Sequence, residues 1–189
     1  MARIVLASGS PRRQELLGRI GIRDFTVRVP QVEEWYPQGL TPPEIVSYIS
    51  REKSEAVPSE DDEIVITADT MVFLDQQRLG KPRDEADALR MLTELSGRRH
   101  TVCTGVTVRQ GQRSLTRAQS TDVYFRPASE SELRAYIRGG EPMDKAGAYG
   151  IQGGAALFCT GMEGDYYNVM GLPVCRLGTV LRSLGIWEE

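Results

Sequence analysis

The sequence predicts an α/β fold of the mixed α+β kind, a mixed twisted sheet with helices on both faces and a central cleft, in a single domain of two lobes over residues 1–189. Three observations carry this expectation. Ile64-Val65-Ile66-Thr67-Ala68 is an uninterrupted, mostly β-branched run, the pattern of a strand buried on both faces. Helix-start signatures recur between strand-like runs, at Ser10-Pro11, Thr41 to Glu44, Asp84 and Ser129 to Glu132. Two long strand-like stretches, Thr101 to Arg109 and Ser114 to Phe125, meet at Gln110-Gly111-Gln112 as a hairpin.

In chain order, Arg3 to Ala7 is a short apolar strand that stops at Ser8-Gly9-Ser10-Pro11. Ser10 is placed to cap the following helix, Pro11 suits its first position, and Leu16, Leu17 and Ile20 form its buried stripe before Gly21 closes it. A second strand is expected over Phe25 to Val29. The capping box Thr41–Glu44 opens a helix with Ile45, Val46, Ile49 and Ala56 at helical spacing. Asp84 caps a helix that turns Ala88, Leu89, Leu92 and Leu95 inward and ends before Gly97, and the box Ser129–Glu132 opens one that stops at Gly139-Gly140. A glycine-punctuated stretch follows, with a short strand expected over Ala155 to Cys159. Pro173 opens the last helix, with Val174, Leu177, Val180, Leu181 and Leu184 on its apolar face.

Composition narrows the function classes. With 40% apolar and 26% charged residues, the chain has ordinary globular usage, and at 189 residues it buries about 70% of its extended surface without needing metal or disulfide staples. The 23 basic and 26 acidic residues leave a formal charge of −3, which argues against nucleic-acid polymers and anionic membranes as partners. No run approaches the roughly 18 apolar residues of a membrane span, and a soluble cytoplasmic protein is expected. Cys103, Cys159 and Cys175 have no disulfide or zinc spacing and read as buried thiols. His100 is the single histidine, so any catalysis falls to carboxylates, Lys, Arg and a hard cation.

Several residues break local rules. Arg12 and Arg13 sit in a first helical turn, where the helix dipole disfavours cations; with Ser8, Gly9 and Ser10 they make a phosphate cradle, or else they are surface arginines paired with Glu15 or another acid. Lys53 lies on the apolar stripe of its helix, four residues after Ile49, where its amine either meets an anion or snorkels to solvent. Asp69 is expected at the carboxyl end of the most apolar strand, the place where open α/β sheets hold ligand groups, with a capping or turn role as the alternative. Lys81 lies in Leu79-Gly80-Lys81-Pro82, where Gly80 permits close approach to a ligand. Four cations beside Asp69 and Glu33 or Glu34 fit a polyphosphate with a divalent metal, because Mg²⁺ needs only one or two carboxylates in addition to substrate phosphates. No Walker-type or dinucleotide glycine pattern is present.

Six motifs in order then carry a resemblance: Leu6 to Arg13, Ala68-Asp69-Thr70, Leu79 to Pro82, Leu95-Ser96-Gly97-Arg98, Asp144 to Gly153 and Gly171-Leu172-Pro173. Together they resemble the Maf family of nucleoside triphosphate pyrophosphatases nearly end to end. The resemblance implies a fold related to the inosine triphosphate pyrophosphatases, a divalent cation such as Mg²⁺ or Mn²⁺, cleavage between the α and β phosphates, and a homodimer. It implies Asp69 as general base close to the metal, Glu34 as the metal-side glutamate in preference to Glu33, and Ser8, Arg12, Arg13, Lys53 and Lys81 as triphosphate contacts. Arg12, Thr70 and Gln152 resemble the specificity positions of the branch acting on dTTP and UTP, and a Gln amide can indeed pair with both a donor and an acceptor on a uracil or thymine edge. Modified pyrimidine triphosphates are further expected substrates. Another nucleotide such as 7-methyl-GTP, or a nucleotide-binding regulator of septum formation, is the competing expectation.

Overall fold

The computed structural model describes residues 3–187. Its strands are β1 (Arg3–Leu6), β2 (Phe25–Val27), β3 (Glu63–Leu74), β4 (Gln77–Leu79), β5 (Arg99–Gln110), β6 (Arg113–Phe125) and β7 (Cys159–Glu163). Its helices are α1 (Pro11–Arg19), α2 (Pro42–Glu55), α3 (Glu85–Leu95), α4 (Glu130–Arg138), α5 (Tyr166–Met170) and α6 (Val174–Ser183). The strands form one seven-stranded mixed sheet in the order β2-β1-β3-β5-β6-β7, with β4 paired to β3. β1 runs parallel to β2 and β3, whereas β3–β4 and β6–β7 are antiparallel. No helix among the described residues is long and apolar enough to cross a membrane.

Contacts divide the chain into two compact units. The first holds residues 1–70, 104–119 and 171–189, and the second holds 71–103 and 120–170. In the first unit, Val5, Ala7, Val57 and Val65 pack into one buried cluster, and Leu16 and Leu17 are fully buried from α1. Glu44 closes its capping box on the Thr41 N–H at 2.8 Å, which starts α2 where the sequence places it. Gly105 on β5 has a specific packing role. A Cβ there would collide with the Val46 carbonyl group, so the strand and α2 meet backbone to backbone, and only glycine permits it. In the second unit, α3 packs on α4, and Phe125, Tyr149, Phe158 and Tyr136 form an edge-to-face aromatic group.

Three local expectations change. The second strand stops at Val27 rather than Val29. Ala155 to Cys159 is not a strand: residues Gly154–Leu157 form a 3-10 turn, and the strand occupies Cys159–Glu163, where it finds β6 to pair with. β3 does not end near Asp69. Met71 to Leu74 are equally apolar, and Val72 to Leu74 pair with β4 across Asp75-Gln76, so Asp69 lies inside a twelve-residue strand. Among the cysteines, Cys103 is buried, Cys159 half-buried and Cys175 exposed, so the expectation of three buried thiols holds for the first alone.

His100 is buried within the aromatic group, its Nε2 2.6 Å from the Tyr149 hydroxyl and its Nδ1 without a partner among the described residues. Burial lowers its pKa from 6.5 to about 4, against the opposing pull of Asp122. Between those values the unfolded chain binds a proton that the folded chain refuses, so His100 stabilises the fold above pH 6.5 and that contribution is lost as pH falls toward about 4. The melting temperature of the wild type is therefore expected to fall more steeply over this window than that of His100→Gln. Parallel curves would show that the imidazole titrates normally.

Candidate active site

The side chains of β3 alternate between its two faces, and this alternation builds the site in the first unit. Thr67 and Asp69 point toward α2, as do Gly105 and Thr107 on β5; Thr70 and Thr104 leave the opposite faces, toward Arg13 of α1. Asp69 is buried. Its Oδ1 accepts from Lys53 Nζ at 2.6 Å, and its Oδ2 is enclosed without a hydrogen-bond partner among the described residues. Lys53 does not snorkel. Its side chain is 17% exposed, and its ammonium bridges Asp69 and the Oε1 of Glu34 at 3.2 Å. Of the glutamate doublet, both exposed, Glu34 is the residue that reaches this pair.

Arg13 is the second cation of the site. Its Nε donates to the Gly171 carbonyl at 2.8 Å, its Nη1 to Ser8 Oγ at 3.0 Å and its Nη2 to Thr70 Oγ1 at 3.1 Å. All three acceptors are neutral, and they use three of the five guanidinium N–H donors. Burial lowers the Arg13 pKa and neighbouring Arg12 adds to this, while the charges of Asp69 and Glu34 oppose it. A desolvated guanidinium on neutral oxygens is a strong anion receptor, since the cost of stripping its water is already borne by the fold. Glu15 pairs with Arg19 at 2.6 Å, so the surface-pair reading fails for Arg13. Ser10 stands at the N-cap of α1 but its side chain makes no cap bond; its N–H donates instead to Ser8 Oγ at 3.3 Å. Arg12 is half-buried in the same turn.

Lys81 and Gln152 belong to the second unit. Both side chains are exposed. Within that unit the Gly147 N–H donates to the Gly80 carbonyl at 3.0 Å, which ties the segment bearing Lys81 to the Asp144–Gly153 motif. Gln152 stands between two anchors: the Tyr136 hydroxyl accepts from the Gly150 N–H at 3.2 Å, and the Glu141 carboxylate accepts from the Gly154 N–H at 3.0 Å.

Sequence reasoning missed Thr104 and the role of Gly171. The Thr104 hydroxyl, fully buried, lies 2.8 Å from Thr70 Oγ1 and so fixes the group that receives Arg13. Gly171 opens the Gly171-Leu172-Pro173 motif, which was the available signal; nothing in the spacing of β5 singles out Thr104. No cluster of three or more metal-ligating side chains occurs among the described residues. Asp69 and Glu34 still suit Mg²⁺ or Mn²⁺, because their carboxylates, both on the Lys53 ammonium, supply hard oxygens and substrate phosphates complete such shells.

The chain is 47% identical to the dTTP/UTP pyrophosphatase of Symbiobacterium thermophilum, over 98% of this chain and 95% of that protein. It is 49% identical to the dTTP/UTP pyrophosphatase of Carboxydothermus hydrogenoformans, over 97% of this chain and 99% of that one. In fold it is similar to a HAM1 protein from Coxiella burnetii, with a TM-score of 0.51 at 15% identity over 97% of this chain and 100% of that chain. The family described as Maf-like protein matches residues 3–184. That match spans nearly the whole chain, and the protein belongs to the Maf family.

Proposed function

We propose that this chain is a nucleoside triphosphate pyrophosphatase that hydrolyses dTTP and UTP to the monophosphate and pyrophosphate. The observation that carries the reading is the Asp69 carboxylate, buried, with one oxygen on Lys53 and the other without a donor among the described residues. The relatives named dTTP/UTP pyrophosphatase supply the substrate class.

In this reading the free oxygen of Asp69 takes a proton from water as the water oxygen attacks the α-phosphorus, and the bond from that phosphorus to the bridging oxygen breaks with pyrophosphate leaving. Lys53 holds Asp69 in place through the 2.6 Å hydrogen bond to its Oδ1. Arg13, with Ser8, Arg12 and Lys81, neutralises the triphosphate, and charge that is prearranged in a desolvated site needs no reorganisation as the leaving group forms. A divalent cation held by Asp69 and Glu34 would supply further neutralisation of phosphate charge. Gln152, with Arg12 and Thr70, selects the pyrimidine by pairing with its edge. The free thiols of Cys103, Cys159 and Cys175 suit the reducing cytoplasm, where nucleotide triphosphates are held.

The test is pyrophosphate release with Mg²⁺ or Mn²⁺ from a panel of dTTP, UTP, CTP, the purine triphosphates and 7-methyl-GTP. Turnover concentrated on dTTP and UTP supports the reading; equal turnover across the panel removes the base preference. Gln152→Ala is expected to narrow the ratio of dTTP to purine rates by at least about tenfold, because an unpaired base edge penalises the correct substrate more than the wrong one. An unchanged ratio would clear Gln152 of base recognition.

A further inference from the structure

A row of buried hydroxyls runs beside the Lys53–Asp69 pair, in a layer where apolar side chains would fill the same space. Ser50 on α2, Thr67 on β3 and Thr107 on β5 are all fully buried. Thr67 Oγ1 donates to the Ser50 carbonyl at 2.7 Å, and Ser50 Oγ donates to Thr107 Oγ1 at 2.9 Å while lying 3.2 Å from Thr67 Oγ1. Thr107 Oγ1 lies in turn 2.8 Å from Thr116 Oγ1 on β6, so one network joins α2 to three strands.

Its position gives it meaning. Ser50 is one helical turn before Lys53, on the same face of α2, and Thr67 is two residues before Asp69, on the same face of β3. The hydroxyl contact and the ion pair are therefore successive rungs between the same helix and the same strand. Past Lys53, Arg109 donates to the carbonyls of Ser54 and Val57, both at 2.8 Å, which holds the end of the helix. Apolar packing alone is non-directional and tolerates a small slide of α2 along β3. A hydrogen-bonded network in low dielectric does not, because a slide strands buried polar atoms.

We propose that Ser50, Thr67 and Thr107 are positioning residues that set the register of α2 on β3 and thereby hold the Lys53 ammonium on Asp69. The proposal rests on the reading of Asp69 and Lys53 given above. The flexible lysine stem does not find its place unaided: the backbone position from which it starts is decided one turn earlier, at Ser50.

The test compares Thr67→Val, which keeps the shape and removes the hydroxyl, with Thr67→Ser, which restores it. Readouts are kcat and KM for dTTP, the melting temperature, and the acylation rate of Lys53 measured by peptide mass spectrometry against Lys81 and Lys145. Thr67→Val is expected to lower kcat about tenfold with KM little changed, a misplacement effect rather than a binding one, and to raise Lys53 acylation severalfold. Thr67→Ser returns both toward wild type. A Thr67→Val protein that melts lower yet keeps wild-type kcat and Lys53 protection overturns the proposal and leaves the hydroxyls a purely structural role. Should Thr67→Val fail to fold, Thr107→Val and Ser50→Ala read the same quantities. Normal turnover by Asp69→Asn would overturn the reading of the site, and Lys53 acylation would then decide the register question independently.

Discussion

Asp69→Asn is expected to slow pyrophosphate release from dTTP by about 10²–10⁴-fold, the range of a general base, while nucleotide affinity changes by less than about tenfold. The substitution is nearly isosteric. The side-chain oxygen of Asn can still accept from Lys53 Nζ, as Asp69 Oδ1 does at 2.6 Å, so the packing around this buried position is kept. What disappears is a basic oxygen at the Oδ2 position, which has no hydrogen-bond partner among the described residues. Steady-state turnover beside equilibrium nucleotide binding separates the two effects, and the melting temperature checks that the fold persists. A variant within tenfold of wild-type turnover would remove Asp69 from the base role and direct attention to Glu34, the other carboxylate on Lys53.

Gly105→Ala is expected to produce the largest loss of stability of any single added methyl group in the first unit. The new Cβ would meet the carbonyl oxygen and carbon of Val46 and the backbone nitrogen of Ser47, all closer than real Cβ contacts come. These are backbone atoms in the middle of α2, so no side chain can swing aside; the helix itself must move. Overpacking of this severity costs about 3 kcal/mol, or about 6–12 °C in melting temperature for a chain of this size. Because α2 also carries Ser50 and Lys53, the same shift should lower kcat in the protein that remains folded. Gly18→Ala is the control. Its Cβ would meet nothing within 4 Å and it lies in α1, where Ala is the better helix former by about 1 kcal/mol, so that variant should be as stable as wild type or more so. A Gly105→Ala protein with a wild-type melting temperature would mean that α2 and β5 can separate freely.

Local signals identified most elements of this chain. The boxes at Thr41–Glu44 and Ser129–Glu132, the cap at Asp84 and the turn at Gly111 each act within about four residues of sequence, and each stands where those residues put it. The readings that failed concerned extent and pairing. β3 continues through Asp69 because β4 is there to pair with it, and residues 155–157 form no strand because the partner edge on β6 is met only from Cys159 onward. α5, five residues long, has no apolar period to reveal it; it is secured by Asn168, whose buried amide donates to the Val102 carbonyl and to Thr121 Oγ1.

At the site, the sequence by itself determined which residues were anomalous: two arginines in a first helical turn, a lysine on an apolar stripe and an aspartate in the most apolar strand. It could do so because each conflicts with its own immediate surroundings. Only the tertiary structure decided how those conflicts resolve. Lys53 lies between Asp69 and Glu34, Arg13 donates to neutral oxygens on Ser8, Thr70 and Gly171, and Thr104 and the hydroxyls of Ser50, Thr67 and Thr107 hold these groups from behind. A threonine in a strand satisfies every local rule whether it faces a valine or another hydroxyl. Its partner is chosen by the register in which helix and strands meet, and that register is a property of the packed core rather than of any short stretch of chain.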